Sequence, residues 1–174
     1  PEPDPEPDPE PEPEPVPEPV PPVNDGIDLS LETFQAYLPL GQDIKGTLEL
    51  IEEGKGVKLA GNKWQKVVLE DISVTPNTVI EFEFKTENLG EIHGLGFYEN
   101  RRFSSIRTIQ LAGSQAYGRM SETYTGEGEW QKFSFAIGKN FTAEQVHLVF
   151  IMDNDTNTGM EADSSFRNIK FIEE

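Results

Sequence analysis

The chain has no cysteine among its 174 residues. No disulfide framework can hold it, and thiol usage says nothing about its compartment. It also lacks any run of eighteen apolar residues, which excludes a membrane-spanning helix. Positive charge is scarce: 14 Lys and Arg stand against 32 Asp and Glu, for a net charge of −18. Such a surface repels nucleic acid and anionic lipid, so neither nucleic acid nor a membrane is an expected partner. A neutral ligand or a cation remains compatible. Two histidines and no cysteine make a poor transition-metal set. No G-x-S-x-G, H-E-x-x-H or P-loop occurs, so the common nucleophile, zinc and nucleotide motifs are missing.

Proline is nearly absent beyond residue 22. Twelve of the fourteen lie in the opening run PEPDPEPDPEPEPEPVPEPVPP. Proline at every second position leaves no N–H for a ladder and fixes φ near −65°, so this run forms neither sheet nor helix. Polyproline II remains, extended further by repulsion among its eight carboxylates; at about 3.1 Å per residue it reaches up to about 70 Å. Residues 1–23 are therefore expected to be a Pro/Glu-rich linker, a spacer holding two bodies apart, with a plain acidic tail as the alternative. The chain starts inside this run without an initiator Met or signal peptide. It is expected to be a fragment whose upstream neighbour is covalently linked.

What is present in residues 24–174 is a succession of short alternating runs. In TVIEFEFK, Ile80, Phe82 and Phe84 face one way while Glu81, Glu83 and Lys85 face the other. QKFSFAI puts Phe133, Phe135 and Ile137 inward. FRNIKFI breaks strict alternation, which predicts a bulge near Arg167–Asn168. Further strands are expected at Thr47–Ile51, Gly56–Leu59, Trp64–Leu69, Ile92–Tyr98, Thr108–Ala112 and His147–Met152, with Gly, Asn and Pro76 at the turns between them. LSLETFQAYL fits either a short helix or an irregular first strand. Many short strands with turn signals predict an all-β fold, a β-sandwich of jelly-roll type.

The phrases GNKW, TPNTV, EIHGLGF and MDND, in that order, together with YTGEGEWQKFSFAIG and SSFRNIKFIE, resemble the jelly-roll, galactose-binding-like carbohydrate-binding modules of secreted polysaccharide-degrading bacterial enzymes. The resemblance covers residues 24–174. It implies a secreted, non-catalytic module, expected to be monomeric, that binds a polysaccharide ligand and targets a linked upstream catalytic domain to it. A structural or adhesive module of a cell-surface protein is the alternative. The resemblance also implies a structural calcium where the first and last strands meet. Positions that correspond are Asp28, Glu32, Gln42, Asp43, Asp163 and Asn168.

The candidate sugar site draws on several stretches. MDNDTNTG crowds Asp153, Asn154 and Asp155 into a loop. Hard oxygens there suit Ca²⁺ and equally sugar hydroxyls, with an ordinary Asx-rich turn as the alternative. His93 stands among the glycines of EIHGLGF as a donor to a hydroxyl or as a buried core histidine. FYENRRFSSIR is the one basic-aromatic cluster, with Tyr98, Arg101 and Arg102. Aromatic faces stack on sugar rings and guanidinium forks grip hydroxyls or carboxylates. Gln110, Gln115 and Tyr117 add hydroxyl partners. Tyr98, Arg101, Arg102 and the Asp153–Asp155 loop are expected to line one end of the sandwich. Trp64 and Trp130 are assigned to the core. No catalytic residues are assigned, since no carboxylate pair stands at recognisable glycosidase spacing.

Overall fold

Alternation decides the strands, and the apolar face of each decides the layer it joins. The computed structural model describes residues 26–37, 43, 45–98, 104–155 and 161–174. The Pro/Glu-rich run, Gln42, Arg101 and Arg102 lie outside the described residues. The strands are β1 (Gln35–Ala36), β2 (Lys45–Ile51), β3 (Gly56–Leu69), β4 (Thr78–Lys85), β5 (Ile92–Tyr98), β6 (Thr108–Ala112), β7 (Met120–Ser121), β8 (Gln131–Phe135), β9 (Val146–Asp153) and β10 (Asp163–Glu173). The fold is the expected all-β sandwich. One layer runs β7-β6-β5-β9-β3 with β1 on the β3 edge, and the other carries β2, β3, β10, β4 and β8. Strands after β3 pass back and forth between layers, β4 to β5, then β8, β9 and β10, which is jelly-roll connectivity.

Two stretches expected to be separate strands are one. β3 runs unbroken for 14 residues and belongs to both layers. Residues 56–62 pair with β2 and β10, and residues 63–69 pair with β9. The glycine of LAGNKW is therefore a crossing point, not a turn. Gly61 (φ +81°) sits opposite Gly46 (φ +142°) on β2. A Cβ on Gly46 would stand 2.2 Å from the Ala60 carbonyl oxygen, so two bare backbones make the bend possible. The bulge expected near Arg167–Asn168 is present: the β10–β4 register shifts between Arg167 and Lys170, and Asn168 has φ +53°. LSLETFQAYL divides into a 3₁₀ turn at Leu29–Leu31 and the short strand β1.

The core lies between the layers. Phe82, Phe84, Phe133 and Phe166 face Leu95, Phe97, Leu148 and Phe150, all at most 1% exposed. Phe150 meets Phe166 edge-on across the gap, with ring centres 5.5 Å apart. Each fully buried Phe contributes about 1.5–3 kcal/mol of burial. Neither tryptophan joins this cluster, a correction to their assignment. Trp130 lies on the outer face of the second layer, under the Arg167 guanidinium at 4.1 Å and Lys85 at 5.3 Å. Trp64 belongs to a second, smaller apolar cluster on the outside of the first layer. Strand parity explains Trp64: Val67 and Leu69 point inward, so Trp64 on the same strand points out.

Candidate functional site

β9 is the middle of the first layer, and its outward residues are His147, Val149, Ile151 and Asp153. Polar outward residues would be the norm on a solvated face. Val149 and Ile151 instead are 0% exposed, because aromatic rings cover them. From β3, Trp64 stands opposite Ile151; from β5, Tyr98 stands opposite His147 and Ile92 opposite Asp153. Tyr37 joins from the end of β1, where its N–H donates to the Trp64 carbonyl at 2.9 Å.

The rings touch in sequence. His147 and Tyr98 meet edge-on at 4.7 Å, Tyr98 meets Tyr37 at 6.0 Å, Tyr37 stacks on Trp64 at 6.1 Å, and Trp64 meets Tyr117 edge-on at 5.9 Å. Trp64 and Tyr37 are buried; Tyr98, Tyr117 and His147 are partly exposed. Burial holds the Tyr98 and Tyr117 hydroxyls above the usual phenol range, so both remain neutral donors. The result is an aromatic strip along a strand face. With the acidic end included, the face runs from His147 to Asp153, six residue steps along β9, or about 20 Å.

At the Asp153 end the strip meets three carboxylates. Oxygens of Glu91, Asp153 and Asp155 lie within 4.8 Å of one another. Glu91 precedes β5, and its N–H donates to the Asp153 carbonyl at 2.7 Å. Its carboxylate accepts from Asp155 N–H at 2.8 Å and from Gln115 Nε2 at 2.7 Å. Burial, then the charges of Asp155 and Glu91, push Asp153 up to about 6, against the pull of the Asn154 backbone N–H and the Trp64 indole. Asp155 is also raised, first by its hydrogen bond with Glu91 and then by burial.

The sequence-predicted residues divide. Tyr98, Tyr117, Asp153 and Asp155 belong to this face. Asn154 is buried beside it, its N–H directed at Asn62 Oδ1 at 3.5 Å. Gln115 is exposed at the acidic end. Contrary to expectation, Tyr98 and the Asp153–Asp155 loop do not share one end of the sandwich; they stand at opposite ends of the β5–β9 pair. His93 is a correction. It is 0% exposed, faces the core, accepts from Gly90 N–H on Nε2 at 2.7 Å and directs Nδ1 at Ser164 Oγ at 2.8 Å. Burial lowers it to about 4, so it stays neutral and reaches no ligand. Gln110 is a second correction. Its Oε1 accepts from Tyr117 and Gly118 N–H, and its Nε2 donates to the Ala112 and Gln115 carbonyls. Both donors and both acceptor positions are spent on its own loop.

The expected terminal metal set is not gathered among the described residues. Asp28 caps the 3₁₀ turn, accepting from Ser30 N–H and Oγ. Asp43 holds Lys63 at 3.0 Å and Gln65. Asp163 accepts from the Glu87 and Asn88 N–H groups, and the Asn168 amide donates to Glu83. Glu32 lies at a groove of about 740 Å³ with Glu70 and Asp71; burial first, then those two charges, raises it. Among the described residues lining that groove, Phe171 is the one aromatic.

Glu91, Tyr37 and Trp64 were not singled out by sequence reasoning as site residues. Glu91 has no motif of its own; only the pairing of Ile92 with Asp153 brings it to the loop. The opposite parity of Trp64 to Val67 and Leu69 is legible within the expected strand Trp64–Leu69 itself.

No family model matches the chain, and no curated protein matches it. The chain is similar to a solved structure described as "CBM4 structure and function", at 10% identity and a TM-score of 0.45, over 82% of this chain and 86% of that one. It is also similar to one described as "Crystal structure of with xylogluco-oligosaccharide", at 13% identity and a TM-score of 0.38, over 82% of this chain. The chain spans 39% of that second structure's length.

Proposed function

We propose that the protein is a non-catalytic glycan-binding module whose ligand lies along the aromatic strip of the first layer. The observation that carries this reading is the row of Tyr98, Tyr37, Trp64 and Tyr117 on a sheet face directed away from the core. Partly exposed rings backed by buried ones are pre-organised platforms. They stack on the C–H faces of sugars at little entropic cost. Phenol hydroxyls, Gln115 and carboxylates at one end supply hydroxyl partners. A face about 20 Å long suits an extended oligosaccharide rather than a single sugar, with micromolar to millimolar affinity, about −8 to −4 kcal/mol.

In this reading the Pro/Glu run tethers the module to a secreted enzyme and raises that enzyme's local concentration on the polysaccharide.

Affinity electrophoresis against neutral and acidic polysaccharides tests the proposal. Retardation by at least one, reduced in Tyr98→Ala and Tyr117→Ala, is expected. Retardation by none would favour a structural or adhesive module, and new reducing ends in the same gels would make it an enzyme.

A further inference from the structure

Glu91, Asp153 and Asp155 form the only group of three such ligands among the described residues whose atoms could share one ion. Crowding of acids alone says little, since exposed carboxylates often cluster without a partner. Two of these three are buried: Glu91 is 7% exposed and Asp153 is 5% exposed. Asp153 Oδ1 is fully shielded and has no hydrogen-bond partner. An acceptor desolvated and left unpaired costs about 1–3 kcal/mol, more when charged. The groups acting on Asp153 are two acids, a backbone N–H and an indole, with no Lys or Arg among them. Negative charge is thus concentrated at Asp153 where burial penalises it, and among the described residues no basic side chain acts on Asp153.

We infer that Glu91, Asp153 and Asp155 form a Ca²⁺ site at the end of the aromatic strip, with Asp153 as its most buried ligand.

The chemistry of the donor set selects the ion. All donors are hard carboxylate oxygens, which suit Ca²⁺ or Mg²⁺ and not the softer transition metals. Ca²⁺ bonds oxygen at about 2.3–2.6 Å, so two ligands across one ion stand up to about 5 Å apart. The 4.8 Å span of the three oxygens falls within that reach. Mg²⁺, at about 2.1 Å with strict octahedral geometry, asks for a tighter cluster. Three carboxylates leave several of the six to eight Ca²⁺ positions to water, and the exposed Asp155 marks the open side. The hydrogen bonds already present pre-organise the cage: Asp155 N–H and the Gln115 amide fix Glu91, and Glu91 N–H ties β5 to the end of β9. This site is separate from the terminal set around Asp28, and it does not depend on glycan binding.

Calorimetric titration of CaCl₂ into the chelator-treated chain, without sugar, tests the inference. One ion per chain with Kd about 10⁻⁴ to 10⁻³ M is expected, with MgCl₂ weaker. Glu91→Gln and Asp155→Asn should each weaken Ca²⁺ at least about tenfold, while Asp28→Asn leaves it unchanged. Asp155 is exposed, so its variant reports on the ion even if the Glu91 variant fails to fold. No heat at millimolar Ca²⁺, binding retained in Asp155→Asn, or binding lost only in Asp28→Asn would each overturn the site.

Discussion

The Tyr37 ring stacks on the Trp64 indole, centres 6.1 Å apart and planes 22° apart, on the face of the first layer that looks away from the core. Trp64 is 2% exposed, so it supports this face rather than presenting it. The partly exposed rings of Tyr98 and Tyr117 are what a ligand would meet.

That division predicts two mutant behaviours. Trp64→Ala removes a buried aromatic and should cost about 3–5 kcal/mol of stability, lowering the urea midpoint and glycan affinity together. Tyr98→Ala and Tyr117→Ala should weaken glycan binding about tenfold, ~1.4 kcal/mol, with the urea midpoint far less affected. Equal midpoint losses in all three would contradict the assignment of roles.

His93 should make stability depend on pH. Its imidazole is lowered from 6.5 to about 4 by burial. The unfolded chain therefore binds a proton near 6.5 that the folded chain refuses until about pH 4. Stability contributed by the neutral ring is full above pH 6.5 and falls as pH drops through that window, by up to about 3 kcal/mol. Urea unfolding at pH 7.5 and 4.5 should show this loss in the native chain and a smaller one in His93→Gln.

Gln110 clamps the segment that carries Tyr117. Its Oε1 accepts from Tyr117 N–H at 2.7 Å and Gly118 N–H at 2.9 Å. Gln110→Leu leaves these donors unpaired, at about 1–3 kcal/mol. Faster amide exchange at Tyr117 and Gly118 is expected, with weaker glycan binding although Gln110 has no capacity left for a sugar. Unchanged exchange would mean the clamp is unimportant.

Gly46 is the tightest point of the sheet-to-sheet crossing. Gly46→Ala places a methyl 2.2 Å from the Ala60 carbonyl oxygen at φ +142°. It should destabilise far more than an ordinary surface substitution, by at least about 1–3 kcal/mol. A thermal midpoint within error of the native chain would show that the crossing can relax.

Much of the fold was legible because side-chain direction in a strand has period two and is a local property. Alternation in TVIEFEFK and QKFSF, and its failure in FRNIKFI, located β4, β8 and the β10 bulge from a few residues each. β3 was cut in two because Gly-Asn in a short window looks the same at a turn and at a crossing; the pairing of Gly46 with Gly61 distinguishes them, and that is a contact between strands. The site was less legible for the same reason. Tyr98 and Asp153 looked like neighbours as polar groups at strand ends, but antiparallel pairing of β5 with β9 sets them at opposite ends.

The amino-acid sequence by itself determined a layered all-β body and a strongly acidic character, since alternation acts between near neighbours and charge is set by composition. Only the tertiary structure decided that Trp64 stacks on Tyr37, that His93 is sealed in the core, and that Glu91 meets Asp153 and Asp155. Those relations depend on the register between strands far apart in the chain, which the packing of the whole core selects.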